Sequence, residues 1–320
     1  MNSARLQIPW VNRHRDTLAW LSWPLYMSGF VALYLWGIRR GIATDTWVIA
    51  VTVINFFITL LIEQILPRDP AMNYLDDRQS WNDVGHGIMQ GASKPLMQAI
   101  VIVLFAGIAN WRIAHFGNLW PSELPFVVQV ILAMLIGSFM DYWVHRSYHL
   151  IDRLWWFHAI HHDTPQMHIM KSARIHVGEE IINSTFKPMP LIFLGAPTEV
   201  IVFLGMWLVF DGNITHANIH QRFPAWFHYM YGTVQLHNLH HAVDRKYQDS
   251  NFSGSMPLWD IIFRTYNHPD KSPPVPVMGI RDNPVPPKFI DQVLFPFKAQ
   301  LRIPPHPYNS NSKQPPTRSQ

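Results

Sequence analysis

Residues 126–149 read FVVQVILAMLIGSFMDYWVHRSYH, an apolar run from Phe126 to Val144 whose one charge is Asp141, followed at once by two histidines. A run of that length crosses the hydrocarbon core of a bilayer as an α-helix. On a helix the offset of four residues puts His145 and His149 on one face, one turn apart. The stretch carries a membrane segment directly into a pair of metal-competent imidazoles.

Upstream, three more runs have spanning length with few charges: Leu18 to Ile38, Thr46 to Leu66 and Ile88 to Ile108, with Glu63 and Lys94 near enough to segment ends to snorkel. The first is too long for a signal-peptide core and has no small-residue cleavage site behind it. Downstream, the apolar stretch from Pro188 to Phe210 is interrupted by Gly195, Pro197 and Glu199 and reads as a re-entrant or interfacial hairpin. The expected fold is all-α: an integral membrane helical bundle of about four transmembrane helices plus that hairpin, with a cytoplasmic helical cap carrying the histidines. Three divisions are expected: transmembrane helices over 1–144, a histidine-rich region over 145–270 with its hairpin at 188–210, and a Pro-rich extended or disordered tail over 271–320. Lys and Arg number 21 on the side of the N-terminus and 3 in the two opposite loops, although Arg39 and Arg40 dissent. The bias puts the histidine region in the cytoplasm, in the cytoplasmic membrane of a bacterium or the endoplasmic reticulum of a eukaryote.

Composition agrees with lipid as the surroundings, since apolar residues make 48% of the 320 and charged residues only 14%. The basic residues are scattered rather than striped between aromatics, so no nucleic-acid partner is expected. Cysteine is absent, which removes disulfides, thiolate zinc sites, thiolate-ligated haem and conventional iron–sulfur clusters. Any metal must be held by nitrogen or oxygen. Of the 18 histidines, 13 fall within the 97 residues from His145 to His241.

Four clusters organise them: His145 and His149 in HRSYH, His158, His161 and His162 in HAIHH, His216 and His220 in HANIH, and His237, His240 and His241 in HNLHH. A lone pair at helical spacing is more often packing than a ligand set, but two HxxHH trios in one chain leave coincidence behind. Ten imidazoles are too many for one ion, and about five per ion leaves two ions with room for another ligand. Neutral imidazole suits Fe, Zn, Cu and Ni, so residue type alone does not name the metal. No Glu stands three residues before a His, which separates this pattern from the Glu-x-x-His di-iron bundles.

In that order the clusters resemble the fatty acid hydroxylase superfamily, also called the sterol desaturase family. The likeness extends through Asp141, the stretch LWWFHAIHHDTPQMH with Arg174, His176 and Glu179 after it, and PLWDIIFRTY at Pro257 to Tyr266, covering roughly 137–266. It implies an integral membrane oxygenase in which His145, His149, His158, His161, His162, His216, His220, His237, His240 and His241 ligate two irons, with zinc as a substitute acquired on purification. Two positions depart from the family pattern: Val177 stands where relatives commonly have Pro, and Arg264 where they have Gly. The first leaves the role of His176 open, and the second alters a turn near the site or supplies a cation to a headgroup.

Around these, Asp141 lies one turn before His145 and is a candidate to accept its ring N–H, with a simple interfacial carboxylate as the equal alternative. Asp163, Glu179, Glu180 and Asp244 are candidates for the same work, with pairing to Arg174 and Arg245 as the alternative. For His168, His176 and His228, satisfied polar contacts are favoured over ligation. Trp155, Trp156, Trp226 and Trp259 read as interface anchors rather than substrate walls.

The resemblance implies that O2 and electrons are consumed in hydroxylating a lipid C–H bond, the lipid being a fatty acyl chain, an alkylglycerol, a sterol or hopanoid, or an aminolipid. Desaturation on the same site is the runner-up. A non-enzymatic metal store or transporter is the reading from another class, disfavoured because the trios follow the last clean span and no repeat is visible. With no GxGxxG fingerprint and no cysteine, reducing equivalents must come from an external electron-transfer protein of ferredoxin, cytochrome or reductase type. Oligomeric state has no signature in the sequence.

Overall fold

The computed structural model describes residues 8–272 and 277–302. Its described residues form helices, with two isolated bridges, Pro67 to Ile219 and Ala242 to Met278, and no strand. Five helices are long and apolar enough to cross a bilayer: α1 (Arg15–Arg39), α2 (Thr44–Ile65), α3 (Ser80–Phe116), α4 (Phe126–Leu150) and, after three shorter helices, Thr198–His216. Between α4 and that last span lie α5 (Asp152–His162), α6 (Val177–Phe186) and α7 (Met189–Leu194); Thr198–His216 is α8, and α9 (Val234–His240) and α10 (Phe289–Arg302) follow. The chain is a multi-pass all-α membrane bundle, and Leu25, Ile49, Phe57, Val103 and Val127 expose apolar surface from its spans.

The hairpin expected over 188–210 runs deeper than the sequence suggests. Pro188 cannot continue the hydrogen-bond ladder of α6, so the descending limb breaks there and resumes as α7. Gly195 then turns the chain at φ +85°, a left-handed conformation that favours glycine, and a Cβ there would sit 2.2 Å from Asn118 Oδ1. Asn118 belongs to the loop after α3, so the hairpin tip lies at the end of the bundle remote from the histidines. The ascending limb, α8, is therefore a fifth helix of spanning length. Phe203, Met206, Phe210 and Ile214 of α8 pack with Tyr26, Phe30 and Tyr34 of α1 and Val51 of α2. Within this apolar seam Tyr26 OH contacts Asn55 Oδ1 at 3.0 Å and Asn213 Nδ2 donates to the same oxygen at 2.8 Å, a polar tie among three helices.

At the other end the chain is clamped. The amides of His220 and Arg222 donate to the carbonyls of Leu66 and Ala19, which brings the start of α1, the end of α2 and the residues after α8 together. Glu63 does not snorkel to water: it is fully buried, and its Oε2 accepts from the amides of Ile169 and Asn218 at 2.8 and 3.0 Å. The first turns of α3 extend beyond the expected span and deliver Asp83 to Lys171 (2.7 Å) and Arg174 (2.9 Å). These ties hold the segment between α5 and α6 as a lid over the bundle end.

The tail is not simply extended. Residues 289–302 form α10, whose Phe295 and Ala299 pack on Trp155, Trp156, Ala159 and Ile160 of α5 despite Pro296 within the helix. Burial of that apolar face outweighs the proline. Residues 273–276 and 303–320 of the expected tail lie outside the described residues.

Candidate metal centre

The C-terminal end of α4, the C-terminal half of α5, the last residue of α8 and the end of α9 meet at one point. There nine of the ten expected ligands form two groups: His145, His149, His158, His162 and His240 in one, and His161, His216, His237 and His241 in the other, with the ligand atoms of each group within 4.8 Å of one another. Each HxxHH trio divides between them. His158 and His162 are one turn apart and serve the first group while His161 serves the second; His237 and His241 serve the second while His240 serves the first. The rings of His162 and His241 stack at 4.5 Å where the groups adjoin.

What turns the rings inward is visible at their outer nitrogens. Nδ1 of His145 donates to Phe252 O (2.7 Å), of His240 to Ser250 O (2.8 Å), of His216 to Gly212 O (2.7 Å) and of His161 to Arg174 O (3.3 Å). His158 Nδ1 donates to Glu179 Oε1 (3.0 Å) and His149 Nδ1 to Asp249 Oδ1 (3.3 Å). A carbonyl can only accept, so Nδ1 carries the proton and each Nε2 presents its lone pair.

These lone pairs fit a first-row metal. Nε2–Nε2 separations are 3.0 Å for His145–His158, 3.1 Å for His158–His162, 3.3 Å for His161–His216, 2.8 Å for His216–His237 and 3.0 Å for His237–His241. Metal–imidazole bonds of about 2.1 Å at right angles place neighbouring nitrogens about 3.0 Å apart, the edge of a coordination octahedron. His240 Nε2 is buried without a hydrogen-bond partner, which an ion would remedy. Burial, followed by neighbouring imidazoles, holds His161, His162, His237 and His241 well below the ordinary imidazole pKa, and His240 is pushed down to about 3. Such rings stay neutral and available.

His220 is not brought to either group. The helix ends at His216, and with Ala217 extended the offset of four no longer places the two on one face. His220 instead lies half-exposed, 4.0 Å from Asp16. Among the other expected residues, Glu179 does hold a ligand ring, but Asp141 does not: it takes Lys187 Nζ at 2.5 Å and the amide of Gly254 at 3.0 Å. Asp163 lies 4.0 Å from Arg174, Glu180 bonds Gln90 and Ser184, and Asp244 caps the short helix Arg245–Gln248. His176 caps α6 through Gly178 N and donates to Val293 O, while His228 bonds Thr233. Val177 fits at the first helical position, where an N–H needs no partner within the helix. His168 joins Asp77 and Asp83, but Lys171 Nζ lies 2.6 and 2.7 Å from the two carboxylates and already supplies the cation.

Asp249 had no sequence signal, because it lies a hundred residues from the ring it holds. Trp155 and Trp156 are buried rather than anchors at the interface. Trp155 lies 5.1 Å from the ring of His149 and 5.4 Å from that of His162, and Phe252 closes the same side at 5.1 Å from His149.

A cavity of about 870 Å³ opens on both groups through His145, His158, His161, His216 and His237. Away from the histidines its walls include Met134, Leu191, Ile201, Leu204 and Leu208, with Gln90 and Lys94 of α3 as polar positions among them. Beside the metal end Gly232 donates its N–H to Ser255 O, and a Cβ at this glycine would overlap the carbonyl of Gly254. The fold and site define a membrane helical bundle whose two imidazole groups could hold metal and face a largely apolar cavity.

The fatty acid hydroxylase family matches residues 130–265. The chain is 26% identical over 259 residues to ornithine lipid hydroxylase OlsE of Rhizobium tropici, covering 80% of this chain and 77% of that protein. It is 24% identical over 216 residues to the alkylglycerol monooxygenase of Homo sapiens (66% and 46%) and 29% identical over 155 residues to methylsterol monooxygenase 1-2 of Arabidopsis thaliana (45% and 48%). It thus spans about half the length of these last two. No solved structure matches it. Over residues 130–265 the chain is thus similar to the fatty acid hydroxylase family, and across a wider stretch to lipid hydroxylases and monooxygenases.

Proposed function

We propose that the chain is a di-iron oxygenase that uses O2 and externally supplied electrons to hydroxylate a C–H bond of a membrane lipid. One oxygen atom enters the C–H bond, and the other leaves as water with two electrons and two protons from the donor side. The observation that carries this is the convergence of two imidazole groups on one cavity whose remote walls are largely apolar and set among spanning helices.

When bound, the irons supply the capacity to activate O2 and to oxidise an unactivated C–H bond. The chain's own residues do the rest. Backbone carbonyls, Glu179 and Asp249 fix the tautomers of six of the nine rings, so those six nitrogens are ready without reorganisation. Trp155 and Phe252 keep water from the outer side of the first group. Leu191, Leu204 and Leu208 line the part of the cavity that takes hydrocarbon. Iron is chosen among imidazole-compatible metals on family grounds, and hydroxylation over desaturation because the relatives are named hydroxylases and monooxygenases. The Lys and Arg bias, with the start of α1 at the histidine end of the bundle, supports a centre on the cytoplasmic side, where an electron-transfer protein would dock.

The test is anaerobic reconstitution of detergent-purified protein with ferrous iron, followed by a reductant, a membrane lipid extract and ¹⁸O2. A lipid gaining one labelled oxygen is the expected product. One labile metal per chain with no oxygen uptake would defeat the proposal, and a loss of two hydrogens would make the enzyme a desaturase.

A further inference from the structure

Most of the cavity's boundary is sealed. At the histidine end the lid between α5 and α6 covers it: Met170, Ser172 and Ala173 belong to the wall, and a Cβ on Gly87 of α3 would stand only 3.2 Å from Ala173 Cβ. Asp83, one turn earlier on α3, ties that lid down through Lys171 and Arg174. At the opposite end Leu191 and Leu204 join Trp120, Ala133 and Val200 in a packed core. Between α4 and the hairpin limb the Lys187–Asp141 pair bridges the gap. Entry at any of these places would break packed or ion-paired structure.

One side lacks such closure. Helix α2 packs on α1 and α8, whereas α3 leans on α6, α7 and the lid and packs along neither α2 nor α8. The cavity fills the slit this leaves. Its lining residues there also face outward: Val53 and Phe57 of α2, Ile88 and Gly91 of α3, and Gly205 and Leu208 of α8 are all exposed, Phe57 by 63% and Ile88 by 68%. A wall residue that is also on the outer surface marks an opening. Gly91 and Gly205 have no neighbour within 4 Å of where a Cβ would stand, so the slit is unobstructed at both. Gly205 and Leu208 precede His216 by eleven and eight residues, about 12–17 Å along the axis of α8, which is the depth of acyl chains rather than headgroups. The slit's one charge among the described lining residues is Lys94, one turn beyond Gln90 on the cavity side of α3, where Gln90 bonds Glu180. An ammonium in a spanning helix is costly against lipid and faces the interior, so Lys94 belongs with the cavity's acids and bounds the slit at its deep end.

We propose that this slit is a lateral portal, through which a membrane lipid passes an acyl chain sideways at the level of Ile88 and Gly91, between α3 on one side and α2 and α8 on the other. The occupant is a lipid of the surrounding bilayer, because the rim is apolar at hydrocarbon depth and the lid bars approach from water. Substrate reaches the histidines and product returns without either leaving the membrane. This inference rests on the hydroxylase reading and names the route by which its substrate arrives.

The chain's lack of cysteine makes a site-specific block possible. Gly91→Cys and Gly205→Cys, each in the full iron-loaded chain reconstituted into vesicles of a membrane lipid extract, are treated with N-phenylmaleimide to place a ring in the slit. Val103→Cys, exposed on α3 outside the cavity wall, takes the same label as the control. Labelling at either glycine position should lower lipid turnover at least about tenfold, the scale of overfilling a packed space, with iron content unchanged. Labelled Val103→Cys should keep its unlabelled rate, and if Gly205→Cys fails to fold, Gly91→Cys alone decides. In a second arm, with reductant withheld, a phospholipid carrying a diazirine in mid-chain should cross-link to the interior wall at Met134 or Leu204 and lose those adducts once Gly91→Cys is labelled. Unchanged turnover after labelling a folded glycine variant, an equal loss in Val103→Cys, or interior adducts that survive the block would overturn the portal. Interior adducts that vanish with the block, from a protein that oxidises no lipid, defeat the hydroxylase reading and leave the portal standing.

Discussion

The two histidine groups lie side by side and are built from the same motifs, yet they are supported differently. In the five-histidine group two rings rest on carboxylates, His158 on Glu179 and His149 on Asp249, and Asp249 is itself held by Arg245 at 2.6 Å. In the four-histidine group the outer contacts are neutral: Gly212 O, Arg174 O, and Thr164 Oγ1 at 3.4 Å from His241 Nδ1. A carboxylate behind an imidazole raises its basicity and fixes its orientation. The first group is thus the more strongly donating, and the second, with fewer ligands and three of its four rings lining the cavity, has more room for substrate-side chemistry. One helical motif supplies two unlike imidazole groups because the offsets of three and four diverge around the helix axis.

The largest effect comes from removing a ligand. His161→Ala leaves three imidazoles in the smaller group and should reduce iron from about two ions per chain to about one, with activity abolished. His240→Ala leaves four in the larger group, so activity should again be lost while iron falls less. Metal analysis beside a turnover assay reads both. Equal iron loss in the two variants would break the distinction between the groups.

The carboxylates come next. Glu179→Gln should weaken iron retention or activity by about 10- to 100-fold, and Asp249→Asn should do the same to a smaller degree because Asp249 is partly exposed. Chelator challenge with a timed iron assay would follow each group. If Glu179→Gln strips both ions at one rate, the carboxylate is not what sets the first group apart.

A smaller effect is expected at Arg264, which belongs to the support of the five-histidine group. Asp260 accepts the amides of Phe252 and Ser253 at 2.8 Å each, and Phe252 O in turn holds His145. Arg264 sits in this turn at φ +61°, a conformation costing a non-glycine residue about 1–2 kcal/mol. Arg264→Gly should raise thermal stability by roughly 1 kcal/mol, less the entropy a glycine adds to the unfolded chain. A fall in Tm would mean that the guanidinium has a role outweighing the strain.

The helical bundle was legible in the sequence because lipid exposure demands long apolar runs, and the nine clustering histidines because ligand pairs on helices repeat every three or four residues. What stayed hidden was set by contacts between distant segments. Asp249 reaches His149 across a hundred residues, and Asp141, well placed by spacing for His145, is taken by Lys187 from the hairpin. The depth of the hairpin depended on where Gly195 docks, which Pro197 and Glu199 in the sequence obscured. Helix α10 was masked by its proline content, since the apolar face that packs on α5 is a tertiary gain.

His220 shows where the spacing argument stops. An offset of four places two side chains together only while the backbone stays helical, and α8 ends at His216. His220 then contributes its backbone N–H to Leu66 O and leaves its ring near Asp16 and Arg222, with the side chain partly open to solvent. His220→Ala keeps that amide and should leave iron content unchanged and activity within about twofold of wild type, as for ordinary surface substitutions. His216→Ala, four residues away in the same motif, should lose the four-histidine group's ion. If the two variants lost iron alike, α8 would have to continue through His220 in the loaded protein, and the smaller group would gain a fifth ligand that erases its difference from the larger.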